Sequence, residues 1–298
     1  MQSLNILTYQ TNPISSSIAI KNCFKDHRIK ITLINDDLQV FKINQILNPD
    51  INFTTNLDQT KVYDLMIYQW DQRNQVHDLI KEFLHRPHYL ICYSPKQSKA
   101  NQVAFKQLIQ SLKQLGYQCH IYQLDASNFG LAQQMQTTLI VSILSTWKSK
   151  SDFEFTNFDQ TSDHQAVVIE NILVADDQIN QWSQYSRYPC RLIKTKRIKK
   201  WLIYDDLVQT NYSIIYDASG YAPSLKTNPL IKIKFTDANH NIVCKVLNNN
   251  EISRCFGFND RHYHTLMNHF DSPALIKLVT KSVPVAIIEA VLKSLKFW

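Results

Sequence analysis

The amino-acid sequence predicts an α/β protein with a doubly wound sheet and a second, smaller domain. Short β-branched runs alternate with helical patterns from the N-terminus to residue 145, which is typical of a doubly wound sheet. Beyond residue 145 the alternation stops, and the 298 residues are enough for one large domain plus a smaller one. We therefore expect the sheet in the first half of the chain and a separate unit after it.

The predicted elements follow one another in order along that first half. Pro13 opens one helical pattern and Gly116 ends another, as proline favours the first turn of a helix and glycine its exit. The polar and aromatic residues 147–161 have few periodic signals and are interpreted as a connector. The predicted strands are residues 4–9, 29–34, 62–68, 88–92, 117–123 and 139–143, and the predicted helices are residues 14–24, 76–84 and 100–115.

The composition argues against several classes of protein. No run of about 18 apolar residues is present, so we expect no membrane span. The N-terminus lacks a basic stretch followed by an apolar one, so we expect no signal peptide. Six cysteines without a CxxC pair indicate free thiols, a cytoplasmic location and no structural zinc. With only four glycines in the chain, a glycine-rich phosphate loop is nearly excluded.

The net charge of +7 is concentrated in one segment, residues 187–201, which read RYPCRLIKTKRIKKW. This segment contains no acid, and the rest of the chain is formally neutral. A polyanion is the natural partner of such a cluster, although a solvated basic loop would have the same composition. The seven basic residues, which we take as candidate DNA contacts, are Arg187, Arg191, Lys194, Lys196, Arg197, Lys199 and Lys200.

Two motifs near the C-terminus form the most specific pattern. Residues 250–263 read NEISRCFGFNDRHY, which on physical grounds is a helix turn that ends at a glycine. Residues 281–295 read KSVPVAIIEAVLKSL, in which Ile287, Val291 and Leu295 recur at helical spacing and Lys293 lies off that stripe. In this order and spacing the two motifs resemble the last two motifs of the cytosine-5 DNA methyltransferases.

The resemblance extends over nearly the whole chain in the correct order. Residues 112–143 resemble a family segment that surrounds the pocket, and residues 214–228, IIYDASGYAPSLKTN, resemble the family's recognition loop. All four glycines fall at family glycine positions: Gly116, Gly130, Gly220 and Gly257. Within the recognition loop, the candidate contacts to bases are Ser224, Lys226, Thr227 and Asn228.

The resemblance implies a particular architecture. It predicts a Rossmann-like methyltransferase domain formed by residues 1–160 plus 271–298 and completed by the C-terminal helix. It also predicts a smaller target-recognition-like domain formed by residues 161–270, which contains both the basic segment and the recognition loop.

The cofactor residues of the family are absent from the matching positions. The family's glycine-rich loop, which holds S-adenosylmethionine, corresponds to Gln10-Thr11-Asn12-Pro13-Ile14-Ser15, where no glycine is present. Glycine lets backbone amides approach the cofactor closely, and an isoleucine would fill that space. Asp36 stands near the position of the ribose-binding acid, but an aspartate after a strand is more often a turn residue. We therefore predict that the S-adenosylmethionine site is lost and that no cofactor is bound.

The catalytic residues are absent as well. The family's Pro-Cys, which supplies the nucleophile, is replaced by Asp71-Gln72, and a carboxamide cannot act as that nucleophile. Tyr93 stands at the position of the catalytic glutamate, and Met135 and Thr137 stand at the positions of two pocket arginines. The neighbouring Cys92 lies in a predicted buried strand and is interpreted as an apolar core thiol. We therefore predict no catalytic residues and no metal site.

Enzymes of this family flip a cytosine out of the duplex, trap it covalently and methylate it. The leading hypothesis is therefore a catalytically inactive pseudoenzyme, an accessory DNA-binding subunit of an active cytosine-5 DNA methyltransferase in a restriction–modification system. Its expected partners are double-stranded DNA and that methyltransferase, in a heterodimer or other hetero-oligomer. The alternatives are a stand-alone DNA-binding regulator, an enzyme whose active site is completed in trans, and an unrelated α/β protein that binds RNA.

Overall fold

A computed structural model of the chain describes residues 3–9, 13–34, 38–69, 80–95, 99–146, 167–174, 190–194, 198–204, 212–225, 231–236, 240 and 242–295. The chain folds into two compact units. The first unit consists of residues 1–124, 136–158 and 282–298, and the second of residues 125–135 and 159–281. The domain ranges expected from the sequence remain a prediction.

The first unit contains a seven-stranded sheet with the order β3-β2-β1-β4-β5-β7-β6. The pairs β1/β2, β2/β3, β1/β4 and β4/β5 are parallel, whereas β7 runs antiparallel to β5. The order reverses between β1 and β4, which makes the fold doubly wound, as predicted. The strands are β1 Ser3–Tyr9, β2 Arg28–Ile34, β3 Asn52–Thr54, β4 Leu65–Gln69, β5 Tyr89–Pro95, β6 Tyr117–Asp125 and β7 Gln136–Leu144.

Four of the described helices belong to the first unit: α1 Pro13–Cys23, α2 Leu38–Leu47, α3 Lys99–Gln114 and α7 Val285–Ser294. Helix α1 packs against α7. Asn22 donates its Nδ2–H to Glu289 Oε1 at 2.6 Å. The predicted helix at residues 76–84 lies outside the described residues up to residue 79, and residues 80–82 are helical.

Helix α2 and the short strand β3 are absent from the sequence prediction. Two buried asparagines of this region, Asn44 and Asn48, interrupt its apolar pattern. Both bond to α1: Ser17 Oγ donates to Asn44 Oδ1 at 2.6 Å, and Asn48 Nδ2–H donates to Ser17 Oγ at 3.0 Å. The contact between α2 and α1 is therefore polar. An apolar contact would have produced an apolar stripe that is visible in the sequence.

One hydrophobic core cluster lies between the sheet and the helix α3. Met66, Leu90 and Ile140 come from neighbouring strands, and Phe105 and Leu112 come from α3. The cluster also contains Leu7, Tyr63, Tyr68, Ile80, Phe83, Cys92, Leu108, Leu115 and Tyr117. Strands that are buried on their faces read as continuous apolar runs, which is why they were predictable from the sequence.

The second unit contains a five-stranded sheet with the order β12-β11-β10-β9-β8. Its strands are β8 Cys190–Lys194, β9 Lys199–Tyr204, β10 Tyr212–Asp217, β11 Lys232–Thr236 and β12 Ile242–Val246. Three helices follow: α4 Asn249–Cys255, α5 Asp260–Met267 and α6 Ser272–Lys281. None of the described helices is long and apolar enough to cross a membrane.

Candidate functional site

The predicted basic segment contains two paired strands of the second unit. Strand β8 is antiparallel to β9, with Lys194 opposite Lys199 and Ile193 opposite Lys200. The register therefore places two lysine positions directly opposite one another. Arg191, on β8, is opposite Leu202. Four of the seven predicted contacts therefore lie on the paired strands β8 and β9, at one edge of the five-stranded sheet.

Of the other predicted DNA contacts, only Ser224 lies within the described residues. Arg187, Lys196, Arg197, Lys226, Thr227 and Asn228 lie outside the described residues. Ser224 is half-buried, and the Leu225 side chain next to it is fully buried.

The backbone that leads to Ser224 is fixed by hydrogen bonds from two directions. Ala222 donates its N–H to Ala132 O at 2.8 Å and accepts from the N–H of Gln134 at 2.8 Å. On the other side, the carbonyl of Gly220 accepts from the N–H of Ile169 at 3.0 Å. The loop that resembles a recognition loop therefore has an ordered stem within the second unit.

The E-x-x-R motif near the C-terminus holds the second unit together. Glu251 is fully buried and accepts from Lys245 Nζ at 2.6 Å, and the Lys245 side chain is only 7% exposed. The second carboxylate oxygen accepts from the N–H of Asn248 at 2.9 Å, and Oε1 also accepts from the N–H of Val174 at 2.9 Å. A buried charge is tolerated only when it is paired and hydrogen-bonded. The contacts with Lys245, Asn248 and Val174 therefore explain how a glutamate can occupy this buried position.

Arg254 and Asp260 form the second part of the motif. Arg254 Nε and Nη2 donate to the two carboxylate oxygens of Asp260 at 2.8 and 2.7 Å, which is the bidentate geometry that only arginine offers. Arg254 Nη1 also donates to Ile172 O at 3.0 Å. The hydrogen bonding between the two side chains lowers the pKa of Asp260 and raises that of Arg254.

Gly257 closes the motif. Its φ of 81° lies in the left-handed region. The N–H of Gly257 donates to Arg254 O at 3.0 Å, and the N–H of Phe258 donates to Ser253 O at 3.2 Å. These two bonds form a Schellman motif, which caps the carbonyls at the end of α4 and favours glycine at this position.

Comparison with known proteins decides the family. The model of the C-5 cytosine-specific DNA methylases matches residues 96–297. This chain belongs to that family. No curated protein sequence matches the chain significantly.

Solved methyltransferases share the fold over almost the full chain at low sequence identity. The Entamoeba histolytica methyltransferase EhMeth is 11% identical, with a TM-score of 0.65 over 99% of this chain and 98% of its own. The S. pombe Dnmt2 methyltransferase is 14% identical, with a TM-score of 0.63 over 97% of each chain. A putative DNA modification methyltransferase from an E. coli prophage is 14% identical, with a TM-score of 0.62 over 98% of each chain.

In this methylase chain, several positions that match catalytic residues of the family are buried. Tyr93, at the glutamate position, is 1% exposed, and the neighbouring Cys92, which matches no catalytic position, is fully buried in the core cluster. Met135 and Thr137, at the arginine positions, are each 1% exposed. Asp71 and Gln72, at the nucleophile position, lie outside the described residues. Neither Met135 nor Thr137 has an ionisable side chain, whereas the family has arginines at these positions.

The first turn of α1 allows a test of the cofactor site. Pro13 has no N–H, and Ile14 is 1% exposed, so neither provides the open, amide-rich turn that a glycine loop forms. The hydroxyls of Thr8, Ser15 and Ser16 are buried and have no hydrogen-bond partner among the described residues. Such groups bind ordered water or a polar ligand, but three hydroxyls do not replace a glycine loop. The described residues of this turn therefore do not fit the cofactor.

Two further sequence predictions concern a ribose-binding acid and a metal site. Asp36, at the ribose position, lies outside the described residues. Within the described ranges, no cluster of His, Cys, Asp and Glu has the arrangement of a metal site.

Proposed function

We propose that this methylase-family chain is catalytically inactive and acts as an accessory DNA-binding subunit of an active cytosine-5 DNA methyltransferase. It would work in the cytoplasm, in a hetero-oligomer, within a restriction–modification system. It would bind double-stranded DNA and leave methyl transfer to the partner.

The observation that carries this proposal is the contrast between two sets of family positions. Glu251, Arg254 and Gly257 keep their residue types and make the contacts that hold the second unit. The matching nucleophile position is Gln72, and the matching acid position is Tyr93, which is buried. A carboxamide cannot attack a pyrimidine ring, and a buried phenol cannot replace the carboxyl group.

The loss of the cofactor site is part of the same proposal. The turn after β1 has no glycine, and Pro13 removes one of the amides that would face a ligand at the start of α1. Without bound S-adenosylmethionine the chain would have no methyl group to transfer, whatever its affinity for DNA.

The lysine positions of β8 and β9 support the DNA-binding part of the proposal. Neutralisation of phosphates by lysine releases counterions, so the affinity should fall steeply with salt concentration. Replacing Lys199 and Lys200 by glutamine should reduce the slope of log K against log salt by about one unit per lost phosphate contact. A matched control replaces Lys106 and Lys113, which are exposed on α3. An unchanged slope in the Lys199/Lys200 variant would show that this hairpin does not contact DNA.

The experiment that tests the function is reconstitution. The chain, a cytosine-5 methyltransferase encoded beside it and their mixture are compared for mass by light scattering and for transfer of a labelled methyl group to DNA. We expect no transfer by the chain alone, a stable complex, and a changed DNA affinity or rate for the partner.

The other outcomes identify the alternatives. Transfer by the chain alone would overturn the proposal. A mixture that is active when neither chain is active alone would show an active site completed in trans. DNA binding without any complex would indicate a stand-alone regulator.

A further inference from the structure

A groove of about 500 Å³ opens in the first unit, at the edge of the seven-stranded sheet where the parallel strands begin. His88 directly precedes β5, Gly116 directly precedes β6, and Leu144 ends the antiparallel strand β7. The groove therefore lies at the edge opposite to the carboxyl ends of the parallel strands, where doubly wound folds bind their cofactors.

The groove has two exposed apolar side chains at its rim. Leu84 is 70% exposed and Val62 is 39% exposed, and both line it. Among the described residues, six large hydrophobic side chains are exposed, and the other four do not line this groove. Single exposed apolar residues are ordinary, but two of them at the rim of one concave surface favour a site of interaction.

Hydrogen bonds hold the walls of the groove in place. The N–H of Leu84 donates to Gln59 O at 2.9 Å, so its backbone is fixed although the side chain protrudes. Arg86 Nη1 donates to Leu115 O at 2.8 Å. On the opposite wall, the N–H and Oγ of Ser145 both donate to the carbonyl of Gly116, at 2.9 and 2.7 Å. A preorganised surface loses little entropy on binding, which favours a docking role.

The charge of the groove indicates what it binds. Arg86 is the cation that lines it, beside the imidazoles of His85 and His88, and burial lowers the pKa of His88. No carboxylate of a described residue lines the groove. The nearby Asp64 has its Oδ1 3.7 Å from His88 Nδ1, and its Oδ2 accepts from the N–H of Asn5 at 2.7 Å. The Asp64 carboxylate therefore interacts with His88 and Asn5 within the first unit. A complementary ligand would carry a bulky apolar side chain beside one or more carboxylates.

We propose that this groove docks the methyltransferase partner through an acidic segment that places a large apolar side chain against Leu84 and a carboxylate on Arg86. The identity of the partner rests on the proposed accessory function, whereas the chemistry of the segment rests on the groove itself.

The first test measures the affinity of the reconstituted complex after Leu84→Asp and Arg86→Glu. Truncation of a hot-spot residue typically costs at least about 2 kcal/mol, so each change should weaken the complex about thirty-fold or more. Matched controls are Val103→Asp, at a 65% exposed site on α3, and Lys113→Glu. Thermal unfolding of each variant verifies that the fold is intact. A complex that forms and keeps its affinity within about twofold in both groove variants would overturn the docking proposal and leave the accessory function standing.

The second test does not require the partner. A synthetic peptide with alternating acidic and aromatic residues is titrated into the full chain, with its Asn/Gln counterpart as the control. Methyl NMR signals of Leu84, Leu115 and Leu144 should move with the acidic peptide only. If they do not move, the groove proposal is wrong, whatever the outcome of reconstitution. If they move and no methyltransferase forms a complex, the accessory function fails and the groove stands.

The chain itself contains a rival occupant. Residues 151–163 carry four acids, three phenylalanines and no basic residue, and they follow the groove residue Thr146 closely in the sequence. If deleting them shifts the Leu84 methyl signal of the isolated chain and tightens peptide binding, the groove belongs to this segment and the partner proposal is wrong.

Discussion

Two regions of this methylase-family chain have diverged in opposite ways. In the segment from Asn248 to Asp260, the charged motif residues have close partners, and the glycine has the conformation that requires glycine. At the positions matching the catalytic pocket, the described residues Tyr93, Met135 and Thr137 are buried. The difference teaches that the motifs of an enzyme family combine structural and chemical residues, and it is consistent with the proposal that this chain has kept the structural ones and lost the chemical ones.

The largest effect should come from breaking the buried ion pair. Glu251→Ala leaves Lys245 as an uncompensated charge at a site only 7% exposed, and should cost about 3–5 kcal/mol in the free energy of unfolding. Urea denaturation followed by circular dichroism measures this. As a control, the double variant Glu251→Leu/Lys245→Met removes both charges and should lose much less. Equal losses in the two variants would show that packing, rather than the unpaired charge, is responsible.

A smaller loss of stability should follow from replacing the glycine just after the C-terminal end of α4. Gly257→Ala places a Cβ at a φ of 81°, which should cost about 1–2 kcal/mol of stability. Gly116 offers a matched control, because its φ is 87° and an added Cβ would meet nothing within 4 Å. Gly116→Ala therefore measures backbone strain alone. A Gly257 variant as stable as the wild type would contradict the assigned role of the Schellman motif.

The half-exposed pair of Arg254 and Asp260 should contribute less, about 0–1 kcal/mol, because solvent screens it. The pKa of Asp260 is lowered by its hydrogen bond to Arg254. The stabilisation that the Asp260 carboxylate provides is therefore fully present above its unfolded-state pKa of about 3.9. It is lost as the pH falls through the lower pKa of the folded state. Asp260→Asn should remove this part of the acid destabilisation in unfolding curves measured from pH 6 down. Parallel curves for both proteins would exclude the linkage.

The smallest effect on function should come from Cys92. Because this thiol is fully buried in the core, it should resist alkylation in the folded protein and react after unfolding. Cys92→Ala should leave DNA affinity unchanged in a salt titration. Rapid alkylation of Cys92 in the native state would mean that this thiol is accessible, against its assignment to the core.

The predictability of the structure differs between the two units. Central strands of the first unit, such as Leu65–Gln69, were predictable as apolar runs because they are buried inside the sheet. The strand β3, with three residues, was too short to recognise, and α2 was hidden by its buried asparagines. In the second unit, the high charge of Lys199–Tyr204 and its neighbours indicated a nucleic-acid contact but concealed two paired strands.

The predicted loss of the catalytic site rests on residue type alone, with Gln72 and Tyr93 at the positions of the family's nucleophile and glutamate, and it stays a prediction. The partners of Glu251 and Arg254 were not predictable, because Lys245, Val174 and Ile172 are brought to them only by the fold. The groove beside Leu84 was missed for the same reason, since its walls come from four separate segments of the chain.

The central claim is that this chain has kept the methylase fold and lost the means to transfer a methyl group. Titration calorimetry with S-adenosylmethionine on the purified chain tests it most directly. The account predicts no saturable heat, because the turn after β1 has no glycine and Pro13 supplies no amide. Tight binding would contradict it, and would mean that the buried hydroxyls of Thr8, Ser15 and Ser16 belong to a working cofactor site.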